Sequence, residues 1–391
     1  MRPEAPGITI DRMHPELHRI VERIRAAAAD ATPLRIRGGG TKDFYGNAAS
    51  GATDGALLDT RALAGIVSYE PSELVVTVHA GTPLAELEAT LAEKGQCLPF
   101  EPPHFGTGDG DGAVATVGGM VAAGLSGPAR ASVGAVRDYV LGAVLADGRG
   151  QVLGFGGQVM KNVAGYDVSR VLAGSLGVLG LIAEVSLKVL PVAPAEATLR
   201  FECTQAEALE LLNAWGGRPL PLNASCWVED DGVGVLYLRL RGAVAAVDAA
   251  CAQLGGERRH DVHADWIACR DQRLPWFSQQ AEPDARDLWR LSVPQTAPVL
   301  ALSGSPLVEW HGGQRWYHAL PADGDRLREA ARAVGGHATL FRSASDAAGT
   351  LPRFELPAPT LLRIHRALQR EFDPAAIFNR GRLHRADAAA S

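Results

Sequence analysis

A glycine-rich stretch in the first half of the chain constrains the fold more than any other part of the sequence. It reads GQVMKNVAGYDVSRVLAGSLGVLGLIAEVSLKVLP and covers residues 157–191. Glycine permits positive φ and lets backbone N–H and C=O groups approach a ligand closely. The last third, from Leu179 to Leu190, has instead the continuous apolar pattern of a buried strand. The sequence therefore predicts a cofactor-binding wall made of backbone and continued by a buried strand.

A second glycine run, RGGGTK at residues 37–42, follows a short predicted strand over 33–37. Three consecutive glycines can turn successive N–H groups into one concave anion site, and Arg37 or Lys42 can add positive charge. We expect this loop to bind a phosphate or a pyrophosphate. A flexible turn without a ligand is the alternative.

A third glycine-rich region, residues 100–130, has few large side chains. Its GxGxGxG run at 106–112 is not a dinucleotide-binding GxGxxG, because no strand leads into it and no helix clearly follows. Gly118 and Gly119, with small neighbours, can lie flat against a large planar ligand. The alternative is a helix of small residues packed tightly against a sheet.

Charge and composition narrow the classes of function. The 391 residues carry 44 Asp and Glu against 38 Lys and Arg, a formal net charge of -6. This balance lacks the positive field of a nucleic-acid binder, so we expect no nucleic-acid partner. No uninterrupted apolar stretch is long enough to cross a bilayer and the N-terminus lacks an apolar signal core, which predicts a soluble, cytoplasmic protein.

The cysteines bear on redox cofactors. Five are present, and no two of them lie in a CxxC or similarly close spacing. An odd number without such spacing is typical of a reducing compartment. Iron–sulfur clusters usually take their thiolates from tight local runs, so we expect any such cluster to sit in a partner.

The order of predicted elements indicates an α+β fold with an insertion. Residues 1–194 form a first α+β domain that is rich in strands. From Ala195 the order strand, helix, strand, strand, helix, strand predicts a split βαβ, or ferredoxin-like, unit, followed by a looser second set. We take 195–341 as an inserted cap domain, and we expect the segment 342–391 to return to the first domain after a helix over 359–370.

Several motifs in a fixed order resemble the vanillyl-alcohol-oxidase type, or PCMH-type, FAD-binding domain. They are RGGGTK at 37–42, SELVVTVHAGTPLAEL at 72–87, TVGGMVAAGLSG at 116–127, VLGAVLADG at 140–148, the stretch 161–191 and FDPAAIFNRG at 372–381. Within this superfamily the chain is similar to the FAD-binding subunits of glycolate oxidases. That resemblance is carried by EPPHFG at 101–106, GGQVMKNVAGYDVSR at 156–170 and WHGGQRW at 310–316.

The resemblance implies an FAD clamped between two α+β subdomains, with a cap over the flavin ring. The loop 37–42 would hold the pyrophosphate, and residues 161–167 would border the flavin or its phosphates. Covalent attachment in this superfamily commonly uses a His in the glycine loop, where this chain has Gly40-Thr41, so we expect non-covalent FAD. The implied cofactor-binding residues are Arg37, Gly38, Gly39, Gly40, Thr41, Lys42, Pro102, Thr116, Gly118, Gly119, Ser126, Lys161, Asn162, Tyr166, Asp167, Gly174, Gly177, Ile182, Asn379 and Arg380.

One motif of the active relatives is absent. The larger, catalytic relatives resemble one another in a cap motif with closely spaced histidines and a GDGN-like turn, which can bind a metal and abstract the substrate proton. The nearest substitutes here are His260 with His263, whose spacing places them on opposite faces of a strand, and the segment 310–318. In that segment Arg315 could bind a carboxylate or, alternatively, belong to a hairpin in the cap core. We assign no catalytic residue and no metal site.

Two interpretations of the function stay open. In the first, the chain is part of an FAD-dependent 2-hydroxy-acid dehydrogenase, which oxidises glycolate or D-lactate to the 2-oxo acid with hydride transfer to FAD. In the second, it binds FAD but serves as an electron relay or architectural subunit. Both imply a complex with a catalytic FAD subunit and an iron–sulfur subunit, and contact with the inner membrane only through those partners.

Overall fold

The computed structural model describes residues 14–47, 55–106, 114–157, 167–278, 286–344 and 351–384. Its N-terminal part combines short helices with two small sheets and one larger sheet. The elements of this part are α1 (Pro15–Ala29), β1 (Leu34–Arg37), β2 (Ala56–Asp59), β3 (Ile66–Glu70), β4 (Val75–His79), α2 (Leu84–Ala92), β5 (Gln96–Cys97), α3 (Val117–Ala123), α4 (Arg130–Val133), α5 (Val136–Tyr139), β6 (Val140–Ala146), β7 (Val152–Gly156), α6 (Val168–Val171), β8 (Leu181–Lys188) and β9 (Leu190–Pro191).

The larger sheet of this part is antiparallel, with the strand order β3-β4-β8-β6-β7. Its central strand β8 is the apolar end of the glycine-rich stretch, and it is buried along most of its length. Helix α2 covers this sheet with Leu84, Leu87 and Leu91, all fully buried. Burial of each such leucine contributes about 1.5–3 kcal/mol. The predicted buried strand is therefore confirmed as the centre of the N-terminal core.

A second, parallel pair lies beside this sheet. Strands β1 and β2 run in register from Leu34 opposite Ala56 to Arg37 opposite Asp59. Helix α1 packs on the pair through an apolar stripe, and Phe378 from the C-terminal segment bridges to Leu34. The glycine loop that follows β1 is thus anchored at its base by both ends of the chain.

The remaining strands form one eight-stranded sheet. We call this sheet with its helices, residues 195–342, the cap. Its elements are β10 (Ala195–Glu202), α7 (Gln205–Gly216), β11 (Leu222–Asp230), β12 (Val233–Gly242), α8 (Val244–Leu254), β13 (Glu257–Arg259), α9 (His263–Arg270), α10 (Pro275–Ser278), β14 (Asp287–Ser292), β15 (Leu307–Glu309), β16 (Gln314–Ala319), α11 (Gly324–Ala333) and β17 (His337–Arg342).

The strand order of the cap is β13-β10-β12-β11-β15-β16-β14-β17. The first four strands have the order expected for a ferredoxin-like βαββαβ unit, and the last four repeat that order in mirror image. The two units join where Cys226 and Trp227 on β11 pair with Glu309 and Val308 on β15. The α+β fold with a ferredoxin-like cap is therefore confirmed. The looser second set has the mirrored strand order, with a loop in place of the first helix.

The cap rests on the N-terminal part through an aromatic layer and an ion-pair network. Phe44 and Phe105 stack edge to face with Phe341 of β17. Nearby, Arg239 Nη2 on β12 donates to both carboxylate oxygens of Glu101, at 2.6 and 2.7 Å. These contacts fix how the cap faces the loops of the N-terminal part.

The C-terminal segment contains helix α12 (Pro359–Phe372) and then returns to β1. Asp373 fixes the return, because its carboxylate accepts hydrogen bonds from the backbone N–H groups of Ile377 and Phe378 at 3.0 and 2.8 Å. Both of those side chains are fully buried. In the described ranges, no helix combines the length and apolarity needed to span a membrane.

One local prediction was wrong. The strand expected to include His260 ends at Arg259, and His263 instead begins helix α9. Strand β17 carried no signal that the sequence analysis used. The domain limits at 194 and 341 stay a prediction.

Candidate functional site

A long cleft opens in the N-terminal part where β1, α3, the turn before β8 and the C-terminal segment meet. The space between its walls is about 730 Å³, part of which is open solvent at the mouth of the cleft. The residues that line it are Ile36, Arg37, Gly38, Gly39, Gly40, Thr41, Lys42, Asp43, Thr60, Ala80, Thr116, Gly118, Gly119, Ala122, Ala123, Leu176, Gly177, Gly180, Ile182, Asn379 and Arg382. Most of this wall is backbone and small side chains, as the three glycine-rich regions predict.

The loop 38–42 presents backbone donors to the cleft. Gly40 has φ +77°, which turns the chain as a concave anion nest requires. Within the described residues, the N–H groups of residues 39–42 donate to no protein acceptor. Arg37 Nε donates to Asp43 Oδ2 at 2.6 Å, and its guanidinium lies against the face where a Cβ of Gly40 would stand. The loop therefore has free donors and no room for larger side chains.

Lys42 is the buried cation of the cleft. Its side chain is 9% exposed, and Nζ lies 5.5 Å from the centre of the Phe105 ring. Burial lowers the pKa of Lys42 to about 8, while the charge of Asp271 opposes that shift. A buried ammonium without a direct ion pair gains most from an anionic ligand. Lys42 is thus suited to a phosphate group in the cleft.

Arg382 is a second cation of the cleft that the sequence analysis missed. Its Nη2 donates to the carbonyl oxygens of Lys42 and Tyr45, at 3.0 and 3.1 Å. Burial lowers its pKa. The sequence signal for Arg382 is its position close to Asn379 in the C-terminal motif. The sequence analysis predicts Arg380 as the cofactor-binding arginine of this segment. Arg380 points away, and it donates to the carbonyls of Ala376 and Ala31 on the outside of the turn.

The two glycines of helix α3 have different roles. A Cβ on Gly118 would lie 2.6 Å from the Cβ of Ala80, and the Gly118 N–H donates to the Ala80 carbonyl at 2.7 Å. Gly118 therefore permits tight packing, as the alternative of a small-residue helix predicts. A Cβ on Gly119 would meet only Thr116 Oγ1, at 3.1 Å. Thr116 itself caps the helix, because its Oγ1 accepts from the Gly119 N–H at 3.3 Å.

Asn379 closes the opposite end of the cleft. Its Oδ1 accepts from the N–H of Ile36 at 2.9 Å, and its Nδ2 donates to the carbonyl of Leu176 at 2.7 Å. A Cβ on Gly177 would lie 2.6 Å from that Nδ2. Leu176 and Asn379 both hold positive φ, 52° and 38°, which costs free energy in non-glycine residues and recurs at functional sites. The C-terminal return is therefore part of the cleft wall.

Several predicted cofactor residues do not line the cleft. Pro102 is buried beside it in the segment before α3. Ser126 lies on a separate chamber beneath the cap, and its hydroxyl accepts from the Val136 N–H. Gly174 donates its N–H to Val121 behind α3, and Asp167 pairs with Arg170 at the start of α6. Lys161, Asn162 and Tyr166, which are also predicted to bind the cofactor, lie outside the described residues.

The cap segment 310–318 is saturated by internal contacts. Arg315 is fully buried, and its guanidinium donates to the carbonyls of Gly312, Pro298 and Ala297 at 3.2, 2.5 and 2.6 Å. Burial lowers the pKa of His311 to about 4, and its ring nitrogens lie 3.0 Å from Ser132 Oγ and 3.1 Å from Ser225 Oγ. This geometry favours the cap-core alternative over carboxylate binding by Arg315.

The donors and the shape of the cleft fit FAD. The free N–H groups of the loop and the buried Lys42 suit a diphosphate. The small residues of α3 and the apolar side chain of Ile182 give this wall little side-chain bulk, which suits a planar group. Substitution of the glycines would fill this space, since a Cβ on Gly39 would lie 1.6 Å from the Val114 carbonyl oxygen.

Comparison with known proteins agrees with this fit. The family model described as FAD binding domain matches residues 16–156. Glycolate oxidase subunit GlcE of Escherichia coli is 43% identical over 365 residues, which cover 93% of this chain and 96% of that relative. The chain belongs to the GlcE family of glycolate oxidase subunits. The chain thus carries the FAD binding domain that the motifs predict.

Other relatives match shorter portions. D-lactate dehydrogenase of Archaeoglobus fulgidus is 34% identical over 170 residues, 43% of this chain and 35% of the relative. Glycolate oxidase subunit GlcD of Bacillus subtilis is 29% identical over 168 residues, 43% of this chain and 34% of the relative. A solved structure of alkyldihydroxyacetonephosphate synthase superposes with a TM-score of 0.62 at 15% identity, covering 92% of this chain and 74% of that one. At this identity the likeness shows the fold alone.

Proposed function

We propose that this chain is the FAD-binding subunit of a multi-subunit glycolate oxidase that oxidises glycolate, or D-lactate, to the 2-oxo acid. The observation that carries the proposal is the cleft, in which free backbone donors and the buried Lys42 face one space. Similarity to GlcE over nearly the whole chain supports the choice of reaction.

The cofactor and the protein would contribute different parts of the reaction. Bound FAD supplies the hydride acceptor, and the protein binds and orients it. Residues 38–42 with Lys42 would hold the diphosphate. The wall formed by Gly119, Gly177 and Ile182 would contact the rest of the FAD molecule, without a covalent bond. The cap excludes water from the end of the cleft near Phe105. We propose the domain limits 1–194, 195–341 and 342–391 for this arrangement.

The subunit would work in a complex. Its E. coli relative is named as a subunit of glycolate oxidase, which supports assembly into a multi-subunit complex. We propose a catalytic FAD subunit and an iron–sulfur subunit as its partners. We place the complex in the cytoplasm, with any membrane contact made through those partners.

A second candidate, an FAD-binding relay or architectural subunit without substrate oxidation of its own, is favoured by one observation. Arg315 and His311, the nearest substitutes for the histidine motif of the catalytic relatives, spend their polar groups on internal contacts. In the described part of the chain, no group of three or more His, Cys, Asp or Glu side chains is arranged to hold a metal.

An anaerobic absorbance spectrum decides between the two candidates. The isolated chain is reconstituted with FAD and recorded before and after addition of glycolate or D-lactate. We expect a yellow protein that is bleached by substrate. A yellow protein that stays yellow assigns oxidation to a partner and leaves the relay, and a protein that takes up no FAD contradicts both candidates.

A further inference from the structure

A groove in the cap lies apart from the cofactor cleft and shares none of the residues that line it. The cavity volume of this groove is about 330 Å³, and its walls come from β10, β11, β12, β13 and α9. Tyr237, Trp266 and Trp276 give it an aromatic lining, and it opens to solvent beside the exposed Glu229 and Asp265. Small molecules in solution can therefore enter the groove.

Two cysteine thiols lie at the floor of this groove. Cys226 belongs to β11 and Cys269 to α9, both line the groove, and each is 4% exposed. The pKa of the Cys269 thiol is raised well above its ordinary value by the neighbouring Cys226 thiol, by burial and by the charge of Glu309. Two cysteines that are far apart in the sequence are thus brought together in one wall.

Glu309 is the third group of this cluster. Cys226 and Glu309 are partners on the antiparallel strands β11 and β15, so their side chains leave the same face of the sheet. Helix α9 brings the Cys269 thiol to this face, where Cys269 Sγ donates to Glu309 Oε1 at 3.3 Å. Burial raises the pKa of Glu309, against the opposing hydrogen bonds from Trp316, Cys269 and Gln314. A carboxylate made more basic in this way can accept the proton of the thiol beside it.

Cys269 also belongs to the wall of the chamber beneath the cap. That chamber is narrow, and its cap side includes Arg290, Glu309 and Trp316. Its other side consists of residues 103–105 and 125–128 of the N-terminal part. A chemical change at Cys269 would therefore alter a wall that the groove and the chamber share.

We propose that Cys226 and Cys269 form a reversible modification site, at which a small neutral peroxide that enters the groove converts the two thiols to a disulfide. Disulfides in reducing compartments are usually transient and serve in redox sensing or catalysis. A thiol beside a second, resolving thiol is the arrangement in which a sulfenic acid condenses to a disulfide. The groove supplies the entry path that two buried thiols need.

The reaction balances with one peroxide and two thiols. Cys269 gives its proton to Glu309, and its sulfur bonds to one peroxide oxygen while the O–O bond breaks. The second oxygen leaves as water with the proton from Glu309. The sulfur of Cys226 then attacks the Cys269 sulfenic acid, the S–O bond breaks, and the hydroxide leaves as a second water with the Cys226 proton. Both sulfurs are oxidised, the peroxide is reduced, and Glu309 returns to its starting state.

The disulfide would tie α9 to β11 and close a long loop of the chain. Such a link limits the unfolded state and stabilises the folded one. It also removes the thiol that donates to Glu309. Since the raised pKa of Cys269 leaves little thiolate at rest, oxidation should depend on Glu309 as the base.

Thiol counting on the FAD-loaded chain tests this site. The chain is reduced, freed of reductant, treated with equimolar hydrogen peroxide, and alkylated with N-ethylmaleimide under denaturing conditions. We expect two of the five thiols to be lost, and a peptide map without reductant to link Cys226 to Cys269. The thermal midpoint should rise by roughly 3 °C or more, and dithiothreitol should reverse both changes.

Substitutions separate the roles of the three groups. Cys226→Ser should accumulate a sulfenic acid on Cys269 that dimedone traps, whereas Cys269→Ser should form neither an adduct nor a disulfide. Glu309→Gln should slow disulfide formation roughly tenfold or more. The matched control is Cys251→Ser on α8, which should form the disulfide at the parent rate. Thermal melts and FAD content of the reduced variants show whether each is folded.

Three outcomes would overturn the proposal. They are a parent chain that keeps all its thiols, a peptide map that links other cysteines, and a dimedone adduct that forms on Cys226 in Cys269→Ser. A folded Glu309→Gln variant that is oxidised at the parent rate would remove the base from the mechanism. The thiol count is made without glycolate, so its failure leaves the proposed oxidation of 2-hydroxy acids untouched, and a failure of that oxidation leaves the thiol count as it stands.

Discussion

The cleft and the chamber lie side by side but are built from different materials. The cleft wall is mostly glycine and backbone N–H, contributed by a few continuous segments such as 38–42 and 176–182. The chamber is made of large side chains, including Arg290, Glu309 and Trp316, that come from separate strands. Backbone recognition tolerates little change in the chain that forms it, whereas a wall of side chains can be changed by single substitutions.

The largest expected effect is at Gly39. In Gly39→Ala the new Cβ would stand 1.6 Å from the Val114 carbonyl oxygen, so backbone must move. We expect the free energy of unfolding to fall by about 3 kcal/mol or more and FAD occupancy to be lost. Urea unfolding and the ratio of absorbance at 450 and 280 nm measure the two effects.

The matched control for Gly39 is Gly154→Ala in β7, where a Cβ would meet no atom within 4 Å. It should keep both FAD and stability. Normal FAD content in Gly39→Ala would contradict a backbone-made pyrophosphate site in this loop.

Much of the cleft could be predicted because its residues lie in short, continuous segments of the sequence. A run such as Gly38-Gly39-Gly40 has few roles other than an anion nest or a turn. The apolar run after Gly180 predicts a buried strand. Both glycines of α3 line the cleft, but sequence could not separate Gly118, where a Cβ would clash with Ala80, from Gly119, where a Cβ would meet only Thr116. Adjacent glycines give the same local sequence signal, and only the packing of α3 in the folded structure distinguishes them.

The next largest effect is expected at the ion pairs that join the N-terminal part to the cap. Glu101 has φ 49° and lies between Arg239 and Arg241 of β12, with Arg239 almost fully buried. Glu101→Gln leaves a buried guanidinium without its counter-charge, and we expect a loss of about 3 kcal/mol in the free energy of unfolding at pH 7. Urea titrations measure it, with the exposed Glu257→Gln as a control that should not change stability.

The same pair predicts a pH dependence. Burial alone raises the pKa of Glu101, but the charges of Arg239 and Arg241 outweigh burial, so its pKa is lowered. The stabilisation is therefore present above the ordinary glutamate pKa and is lost as pH falls through the lowered value. The unfolding free energies of the parent and of Glu101→Gln should converge in acid. A constant difference down to pH 3 would show that the effect is packing and not charge.

The chamber was hidden from sequence for a physical reason. Arg290 and Glu309 sit in strands whose pairing, β14 with β16 and β11 with β15, is set by contacts far apart in the chain. Arg290 has no motif around it, and Glu309 lies just outside the motif at 310–316. The strand expected to include His260 ends at Arg259, and helix α9, which forms part of the wall, begins at His263. Side-chain sites assembled by long-range pairing leave no periodic signal.

A smaller effect should appear at Lys42, which lines the cleft and faces the Phe105 ring of the chamber. FAD phosphate favours the charged amine, whose pKa is about 8 in the FAD-free chain. FAD affinity should therefore fall as pH rises from 7 to 9, by roughly tenfold. Lys42→Met should bind FAD more weakly at pH 7 and show no such dependence, while Lys42→Arg should bind tightly at both values. Fluorescence titration with FAD measures all three.

In the FAD-free chain, the protonated form of Lys42 destabilises the folded state. The pKa of Lys42 is lowered from 10.5 to about 8, so below pH 8 the folded state pays for a buried charge. That cost disappears as pH rises between those two values, and stability should rise relative to Lys42→Met over the same range. Identical pH profiles of the two chains would contradict the burial of this amine.

The smallest effect should be at Thr116, where a side chain supports a wall of backbone. Its Oγ1 accepts from the Gly119 N–H, so Thr116→Ala removes the cap of α3 and should lower the free energy of unfolding by about 1 kcal/mol. Because the wall itself is backbone, FAD affinity should change less than in Lys42→Met. Thr360→Ala at the exposed start of α12 is the control. A Thr116→Ala variant that loses FAD while keeping its stability would mean that the hydroxyl contacts the cofactor directly, and the contrast between a backbone-made cleft and a side-chain-made chamber would no longer hold at this position.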